Sequence, residues 1–341
     1  MTQKTIVLAY SGGLDTTVAV PWLREKYDAQ VVTLTLDIGQ GRDLEEVRQR
    51  ALKAGAARAL VVDAREEFVE DFVWPALKAG AIYEGHYPLA TALARPLITK
   101  HLVEAAQKEK AWAVAHGCTG KGNDQVRFEV SVMALAPHLQ VIAPARVWGM
   151  SREEEIEYAG KRGIPVPVTK KSPYSVDENL WGRSIEAGPL EDPWQEPPEE
   201  AFLWTRPVAK TPETPLYLEI EFTEGVPGAV NGEEMGGVAL IGHLNSLAGE
   251  HGVGRIDHIE NRLVGIKSRE VYEAPAGVVL HAAHSALEQM VLTKDQQRFK
   301  GLVAAHYADL VYNGLWYSAH RGDLDAYIAS TQQYVTGTVR V

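Results

Sequence analysis

The 341-residue sequence contains almost no cysteine. Cys118 is its single cysteine, so an internal disulfide and a Cys-x-x-Cys metal or redox pair are both excluded. A chain without disulfides suits a reducing compartment. We therefore expect a cytoplasmic protein in which Cys118 is a small packing residue.

Long apolar runs and a surplus of basic residues are lacking as well. No stretch approaches the roughly 18 apolar residues of a membrane span, and the apolar run at residues 5–10 is too short for a signal peptide. We expect a soluble protein without a membrane partner. The 34 lysines and arginines are outnumbered by 45 aspartates and glutamates, for a net charge of −11. That balance argues against nucleic-acid binding and favours small-molecule substrates, with an electropositive pocket for anionic ones.

The first half of the sequence alternates strand-like and helix-like segments. The strand-like runs are residues 6–9, 31–36, 59–62 and 113–115, and the helix-like segments are 43–54 and 66–79. This alternation predicts an α/β domain over residues 1–167, a Rossmann-like parallel sheet with helices on both faces. Ligands of such sheets bind beyond the carboxyl ends of the strands, where Ser11, Asp37 and Gly117 would lie.

The second half has a different pattern. Pro165 and Pro167 mark the break, residues 216–222 alternate like a strand with one wet face, and residues 277–291 form a long apolar helical segment. We expect an α+β domain over residues 168–341. Two domains also suit a chain of this length.

A glycine turn follows the first predicted strand and precedes a predicted helix. Gly12 and Gly13 let backbone N–H groups converge on one point, and the helix N-terminus adds partial positive charge, so the turn is suited to an anion. Ser11, Thr16 and Thr17 add hydroxyl groups. Neither the Walker A spacing nor GxGxxG is present, so kinase-like and hydride chemistry are not supported. The alternative is an ordinary strand-to-helix turn, which often contains these residue types.

A second glycine-rich loop, residues 116–127, lies between a predicted strand and a predicted helix. Its glycines and Lys121 favour an anion, and Asn123 is predicted as an N-cap. Asp124 and Arg127 would share a helix face and offer opposite charges to a zwitterionic amino acid. The alternative is a solvent-exposed ion pair beside a mobile loop.

The two loops together resemble the argininosuccinate synthetase family of N-type PP-loop ATP pyrophosphatases. The shared text includes AYSGGLDT, HGCTGKGNDQVRFE, HGVGRIDHIENR at residues 251–262 and KSREVYE at residues 267–273, and the likeness covers essentially the whole chain. The GKGNDQVRFE run is highly specific. SGGxD alone would also admit GMP, NAD and asparagine synthetases and tRNA-modifying ligases.

The resemblance implies a C–N ligase of arginine biosynthesis that consumes ATP, assisted by Mg²⁺. The ureido oxygen of citrulline attacks the α-phosphorus of ATP, and the aspartate amine then displaces AMP from the citrulline adenylate. A synthetase domain after the nucleotide-binding domain and a homotetramer are also implied. The family's subunits are normally joined by a C-terminal arm, and the sequence ends at Val341 before that arm, so the arm is expected to be truncated.

The resemblance also assigns binding residues position by position. ATP is expected at Ala9, Tyr10, Ser11, Gly12, Gly13, Leu14, Asp15, Thr16, Thr17, Leu36 and Gly117. Aspartate is expected at Thr119, Asn123 and Asp124. Citrulline is expected at Tyr87, Asn123, Arg127, Ser175, Ser184, Glu260 and Tyr272. No side-chain base and no metal-ligating side chain are named.

Three of these residues have expected partners. Asp124 would take the ammonium of aspartate, Arg127 the carboxylate of citrulline by bidentate pairing, and Glu260 the ammonium of citrulline. Each citrulline residue also has a structural alternative to a binding role. The two tyrosines would be core aromatics, the two serines would be loop caps, and Glu260 would be a solvated charge.

The sequence departs from the family pattern at a few positions. Ala92 removes a hydroxyl that normally faces citrulline, and Cys118 stands where alanine is usual. Glu270 stands where glycine is usual, which matters if the backbone there needs a positive φ. A tRNA-modifying ligase and a nucleotide-binding form without turnover remain alternative readings.

Overall fold

A computed structural model describes residues 4–120, 122–165 and 173–341. It divides into two compact units, the first of Met1–Ala64 with Arg95–Lys171 and the second of Arg65–Ala94 with Ser172–Val341. The predicted boundary after residue 167 and the predicted role of Lys121 lie outside the described residues. Both stay predictions.

The described residues form strands and helices with the following bounds. The strands are β1 (Lys4–Ala9), β2 (Ala29–Asp37), β3 (Arg58–Asp63), β4 (Ala113–Ala115), β5 (Gln140–Ile142), β6 (Ser175–Asn179), β7 (Gly182–Glu186), β8 (Glu219–Thr223), β9 (Val226–Val230), β10 (Glu233–Glu234), β11 (Arg255–Asn261), β12 (Lys267–Glu273) and β13 (Gly337–Arg340). The helices are α1 (Leu14–Tyr27), α2 (Leu44–Lys53), α3 (Arg65–Phe68), α4 (Trp74–Ala79), α5 (Ala90–Lys108), α6 (Asp124–Leu135), α7 (Pro144–Val147), α8 (Arg152–Lys161), α9 (Gly237–Glu250), α10 (Pro275–Val291), α11 (Lys294–Tyr312) and α12 (Ala319–Gln332). A π-helical turn, Val69–Val73, joins α3 to α4, and short 3₁₀ turns occupy Gly188–Glu191, Glu199–Ala201 and Val208–Lys210.

The first unit is built on a five-stranded parallel sheet in the order β3-β2-β1-β4-β5, which confirms the predicted α/β class. Ile6 in β1 and Val31 in β2 are fully buried, and Val18 of α1 joins the same core. The strand order reverses beside β1, so the loops after β1 and β4 leave the same edge of the sheet. That edge is where ligands of open parallel sheets bind.

The second unit contains two antiparallel sheets, β10-β9-β8-β13 and β11-β12-β7-β6, together with long helices. Strand β8 alternates exposed and buried residues, as its sequence predicts, although it begins at Glu219 rather than 216. Ile185 and Val271 are fully buried on one face of the second sheet and pack with Leu190 and Ala201. The opposite face of that sheet carries the polar residues discussed below. The mixture of helices and antiparallel sheets matches the α+β expectation.

Candidate active site

The helix that follows the turn after β1 begins without a side-chain cap. Gly13 is the N-cap of α1 and makes no side-chain cap hydrogen bond, so the first N–H groups of α1 are not satisfied by a side chain. Gly12 has φ +75°, and an added Cβ would lie 3.0 Å from Val47 Cγ1. Ser11 Oγ lies 3.1 Å from Thr16 Oγ1 and accepts from the Gly13 N–H at 3.3 Å. This geometry fits an anion site at a helix N-terminus.

Two arginines supply the positive charge that an acidic chain needs at such a site. Arg50 Nη1 donates to the Gly12 carbonyl at 2.7 Å, and Arg42 Nη1 donates to the Ser11 carbonyl at 3.2 Å. Sequence reasoning missed both arginines, because Arg42 lies 31 residues after Ser11 and Arg50 lies 38 residues after Gly12. Only the pairing of β1 with β2 brings the segment after β2 beside the turn.

The remaining predicted ATP residues surround the turn from inside the fold. Tyr10 OH lies 2.9 Å from Thr17 Oγ1, and Tyr10 O accepts from the Thr35 hydroxyl at 2.8 Å. Burial raises the pKa of Tyr10. Ala9 and Leu14 are buried as well. These side chains hold the turn in shape, and contact with a nucleotide would come from their backbone.

Leu36 and Gly117 lie at the ends of the strands on either side of β1. Leu36 is buried, and its carbonyl accepts from Gln40 Nε2 at 2.6 Å. A Cβ added to Gly117 would lie 2.7 Å from Thr16 Cγ2, so the loop after β4 packs against the first turn of α1. The structure therefore brings the predicted ATP residues to one edge of the sheet.

Asp15, in the first turn of α1, has an acidic neighbour. Glu155 of α8 is 6% exposed. Burial, followed by the charge and hydrogen bond of Asp15, raises the pKa of Glu155 to about 8. At neutral pH, Glu155 is therefore mainly in its protonated form beside Asp15 and the phosphate turn.

The second loop confirms the predicted charge pair at the start of α6. Arg127 Nη1 donates to Asp124 Oδ1 at 2.8 Å, and Arg95 Nε and Nη2 contact Asp124 Oδ2 at 2.8 and 2.7 Å. Arg127 is 3% exposed, so a solvent-exposed pair is the wrong description. Burial raises the pKa of Asp124, but the two arginines outweigh it and hold this pKa below its usual value. Arg95 was missed as a functional residue, because it lies 29 residues before Asp124 in the sequence.

Asn123 is the N-cap residue of α6, as predicted. It has αR geometry, and its side chain makes no cap hydrogen bond among the described residues. Its carbonyl instead accepts from the N–H groups of Val126 and Arg127, at 3.0 and 3.2 Å. Thr119, before it in the loop, is exposed. Burial raises the pKa of Cys118 to about 12, so its thiol stays protonated, in line with a packing role.

In the second unit, one face of the β11-β12-β7-β6 sheet collects most of the predicted citrulline residues. Directly paired residues of antiparallel strands project to the same face. The pairs on this face are Ser175 with Glu186, Asp177 with Ser184, Ser184 with Tyr272, His258 with Glu270, and Glu260 with Ser268. We call these nine residues the polar face. Ser175, Ser184, Glu260 and Tyr272 were all predicted from the sequence.

Glu260 is the most tightly held carboxylate of the polar face. It is 3% exposed, and it accepts hydrogen bonds from Tyr272 OH at 2.5 Å and from Tyr312 OH. Tyr312, from the end of α11, was not predicted as a site residue. A solvated charge is therefore the wrong description of Glu260.

Tyr87 completes the predicted citrulline residues of this unit. Its ring stacks on Tyr272 with centroids 4.1 Å apart and planes within 10°. Tyr87 OH lies 2.6 Å from Thr91 Oγ1 and accepts from the Thr91 N–H at 2.8 Å. Tyr83 and Tyr312 form a second stacked pair, with centroids 3.6 Å apart. The two tyrosine pairs frame Glu260.

Glu270 lies in the middle of β12, and its backbone does not need a positive φ. Arg262 Nη2 donates to Glu270 Oε1 at 2.6 Å and also contacts Glu186. Burial, followed by the charge of Glu186, raises the pKa of Glu270 to about 7, although Arg262 and Ser268 act in the opposite direction. The polar face thus has several carboxyl groups around one guanidinium, an arrangement that favours a cationic ligand group.

Among the residues that the structure describes, no three His, Cys, Asp or Glu side chains are grouped so as to hold a metal ion. Within the same residues, no helix combines the length and the apolar character that a bilayer crossing requires.

Comparison with known proteins covers nearly the whole chain. Residues 5–165 match the arginosuccinate synthase N-terminal HUP domain, and residues 174–341 match the arginosuccinate synthase C-terminal domain. The chain is 63% identical to the argininosuccinate synthase of Dehalococcoides mccartyi over 341 residues, which cover 100% of this chain and 84% of that protein. It is 62% identical to that of Gloeobacter violaceus and 57% identical to that of Dictyoglomus turgidum, again over 100% of this chain and over 86% and 85% of those proteins.

Proposed function

The chain belongs to the argininosuccinate synthase family, and we infer from this that it is the ligase that joins L-citrulline to L-aspartate in arginine biosynthesis. ATP is cleaved to AMP and diphosphate, and a citrulline adenylate is the intermediate. The inference rests on the match of both family domains, in sequence order, to this chain. It is supported by the glycine turn without a side-chain cap at the edge of the parallel sheet where ligands bind.

We propose that the turn after β1 holds the phosphates of ATP. The uncapped N–H groups of α1, the hydroxyls of Ser11 and Thr16, and the nearby arginines Arg42 and Arg50 support this role. Cleavage at the α-phosphorus develops charge on diphosphate, and fixed donors at that place stabilise it without reorganisation. Leu36 and Gly117 flank the turn and would border the nucleotide.

We propose that the loop before α6 holds aspartate, with contacts from Thr119, Asn123 and Asp124. Asp124 would accept the substrate ammonium. Its lowered pKa keeps it ionised, and its contacts with Arg95 and Arg127 fix its orientation. Asn123 and Arg127 would also contact citrulline. Arg127 would bind the carboxylate of this substrate.

We propose that the polar face and Tyr87 hold citrulline. Glu260, preoriented by two tyrosine hydroxyls, would take the ammonium. Ser175 and Ser184 offer hydroxyl donors and acceptors on the same face, and the stacked rings of Tyr87 and Tyr272 would bound the aliphatic part. The residues act by binding and orientation, which suits a reaction in which ATP itself activates the ureido oxygen.

We propose Mg²⁺ as a companion of ATP rather than as an ion held by a protein cage. The described residues contain no group of three metal-binding side chains, and the phosphate turn offers hydroxyls and N–H donors. Mg²⁺ commonly retains water and binds substrate phosphates in such sites. Bound there, it would neutralise phosphate charge.

We also propose a cytoplasmic homotetramer. The single cysteine supports a reducing compartment. Large apolar side chains that are strongly exposed, Trp194 at 95% and Val208 at 82%, support association with further copies. Light scattering behind a sizing column tests the assembly, and a monomer at micromolar concentration would refute it.

The reaction is tested with ATP, labelled aspartate and citrulline whose ureido oxygen is ¹⁸O. We expect argininosuccinate, AMP and diphosphate in equal amounts, with ¹⁸O in the AMP phosphate because the ureido oxygen bonds to the α-phosphorus. Product without ¹⁸O in AMP would refute the adenylate. ATP binding without diphosphate exchange, in a folded protein, would refute the ligase and favour a nucleotide-binding form.

A further inference from the structure

His258 is a buried side chain of the polar face to which nothing above assigns a role. It lies opposite Glu270 in the β11–β12 pair and two residues before Glu260. Its side chain is 7% exposed, and its Nε2 has no hydrogen-bond partner among the described residues. Buried polar side-chain atoms are usually paired, so an unpaired ring nitrogen beside a binding face points to a ligand.

The ring nitrogen Nε2 of His258 lies beside the Glu260 carboxylate but is not hydrogen-bonded to it. Nε2 lies 3.6 Å from Glu260 Oε2, which is too long for a hydrogen bond. The Glu260 carboxylate accepts from Tyr272 and Tyr312 instead. The rings nearest His258 are those of His86, 5.3 Å away, and Tyr272, 6.0 Å away.

A cationic donor would satisfy both groups at once. An ammonium group has three N–H donors, and a neutral imidazole with its proton on Nδ1 offers one lone pair at Nε2. Glu260 supplies the charge, and His258 supplies a second, directional acceptor 3.6 Å from the first. The carboxyl groups of Glu186 and Glu270 on the same face also favour a cation there.

We propose that His258 Nε2 accepts a hydrogen bond from the α-ammonium of citrulline and so determines specificity for the amino-acid end of this substrate. The proposal rests on the proposed function, since it requires that citrulline binds at the polar face. His258 then discriminates citrulline from 5-ureidopentanoate, which has the same ureido group and carboxylate but no amine.

The test uses two variants of similar shape. His258→Gln keeps an acceptor oxygen, whereas His258→Met has nearly the same volume and only a weakly accepting sulfur. His86→Met is the matched control, because His86 is an exposed neighbouring ring. For each protein, KM for citrulline, kcat, and the inhibition constant of 5-ureidopentanoate are measured, with melting temperature as a check on folding.

For His258→Met we expect KM for citrulline to rise at least about tenfold, the scale for a lost hydrogen bond to a charged group. The inhibition constant of 5-ureidopentanoate, KM for ATP and kcat should change less than about twofold. His258→Gln should recover part of the loss, and His86→Met should resemble the wild type.

The outcomes distinguish an error in the ammonium site at the polar face from an error in the role of His258. If the wild type binds 5-ureidopentanoate as tightly as citrulline, the ammonium site at the polar face is wrong. If the wild type discriminates and His258→Met discriminates equally well, only the role of His258 is wrong. An equal loss of affinity for both ligands would mean that His258 acts by packing. Should His258→Met fail to fold, His258→Gln decides the question: a partial loss of discrimination between citrulline and 5-ureidopentanoate supports the acceptor role, and discrimination identical to the wild type's overturns it.

Discussion

At the scale of single residues, the phenol of Tyr312 is the clearest case of a side chain that prepares a site. It is fully buried, stacks on Tyr83, and donates to Glu260. We expect Tyr312→Phe to raise KM for citrulline about tenfold with kcat nearly unchanged, because a hydrogen bond to a charged group contributes about 1.5–3 kcal/mol. Steady-state kinetics measure this. Tyr217→Phe, at a residue 68% exposed, is the control, and an unchanged KM in Tyr312→Phe would refute the positioning role.

Asp124 presents a different problem, because its carboxylate serves two arginines as well as the proposed substrate. Asp124→Ala should remove aspartate use while leaving citrulline-dependent ATP–diphosphate exchange largely intact. It also removes one partner of Arg95 and one of Arg127. Asp124→Asn keeps an oxygen that can accept from the arginines but removes the negative charge, so it tests the contact with the substrate ammonium more specifically. Parallel assays of exchange and of argininosuccinate formation check it, and equal loss of both activities in the Asn variant would contradict the assigned role.

At the scale of elements, the contact of α8 with α1 makes the phosphate turn sensitive to pH. Glu155 has a pKa of about 8 in the folded protein, against an ordinary 4.5. Its contribution to stability is therefore complete below about 4.5 and is lost as the pH rises through about 8. Above that pH the Glu155 carboxyl becomes negatively charged beside Asp15, where phosphates would bind.

The expected result is that KM for ATP of the wild type rises between pH 7 and pH 9, while that of Glu155→Gln stays level. The Gln side chain keeps a hydrogen bond to Asp15 and cannot ionise. Glu153→Gln, an exposed change on the same helix, should follow the wild type. Identical pH profiles for Glu155→Gln and the wild type would show that this carboxyl does not govern nucleotide binding.

The loop after β4 is tested by a pair of glycines. A Cβ at Gly117 would lie 2.7 Å from Thr16 Cγ2, whereas one at Gly122 would have none of the described residues within 4 Å. Gly117→Ala should push the loop away from α1 and raise KM for ATP about tenfold, since overpacking typically costs about 1–3 kcal/mol. Gly122→Ala should change KM for ATP little. If the two variants behave alike, the contact between the loops does not matter for ATP.

The sequence predicted elements better than it predicted their partners. Alternating strand and helix segments are enough to predict a parallel sheet. Helix α1 continues through Pro21, with fully buried Val20 and Leu23 on either side of it. The prediction of a plain helix over residues 66–79 missed the π-helical turn at Val69–Val73, since the π form has no distinct apolar period.

Within the candidate site, too, the sequence predicted features formed by neighbouring residues better than contacts between residues far apart in the chain. The glycine turn and the Asp124–Arg127 pair are local and were predicted. Arg50 and Tyr312 reach their partners, and His258 its position opposite Glu270, through strand pairing or helix packing, which sequence spacing does not reveal. Asn123 occupies the predicted N-cap position, but with its αR backbone angles the side chain does not make the cap hydrogen bond that its residue type favours.

At the scale of the whole molecule, acid stability depends on histidines buried without charge. In the second unit, burial lowers the pKa of His281 and of His284 to about 3, and nearby cationic Lys300 adds to the effect. Gln332 donates to Glu288, so its oxygen faces His284 Nε2 at 2.8 Å, and that nitrogen carries the proton of a neutral ring. His281 Nε2 has no partner among the described residues.

The sign of the pH effect follows from these lowered pKa values. The unfolded chain protonates its histidines near the ordinary pKa of 6.5, whereas the folded state does so only near 3. Below pH 6.5 the unfolded state therefore binds more protons, and the free energy of unfolding falls by up to about 1.4 kcal/mol per pH unit for each histidine. Stability contributed by the neutral rings is complete above pH 6.5 and is lost as the pH falls toward 3.

His281→Met removes one of these titrating groups and also an unpaired buried nitrogen. We expect it to be at least as stable as the wild type at pH 7.5, and to lose stability more slowly between pH 6.5 and 4.5, by up to about 1.4 kcal/mol per pH unit. Urea midpoints at three pH values measure the slope, and His243→Gln, at an exposed histidine, should leave it unchanged. A parallel slope for His281→Met would mean that His281 titrates alike in both states, and the acid sensitivity would then have to come from other groups, His284 among them.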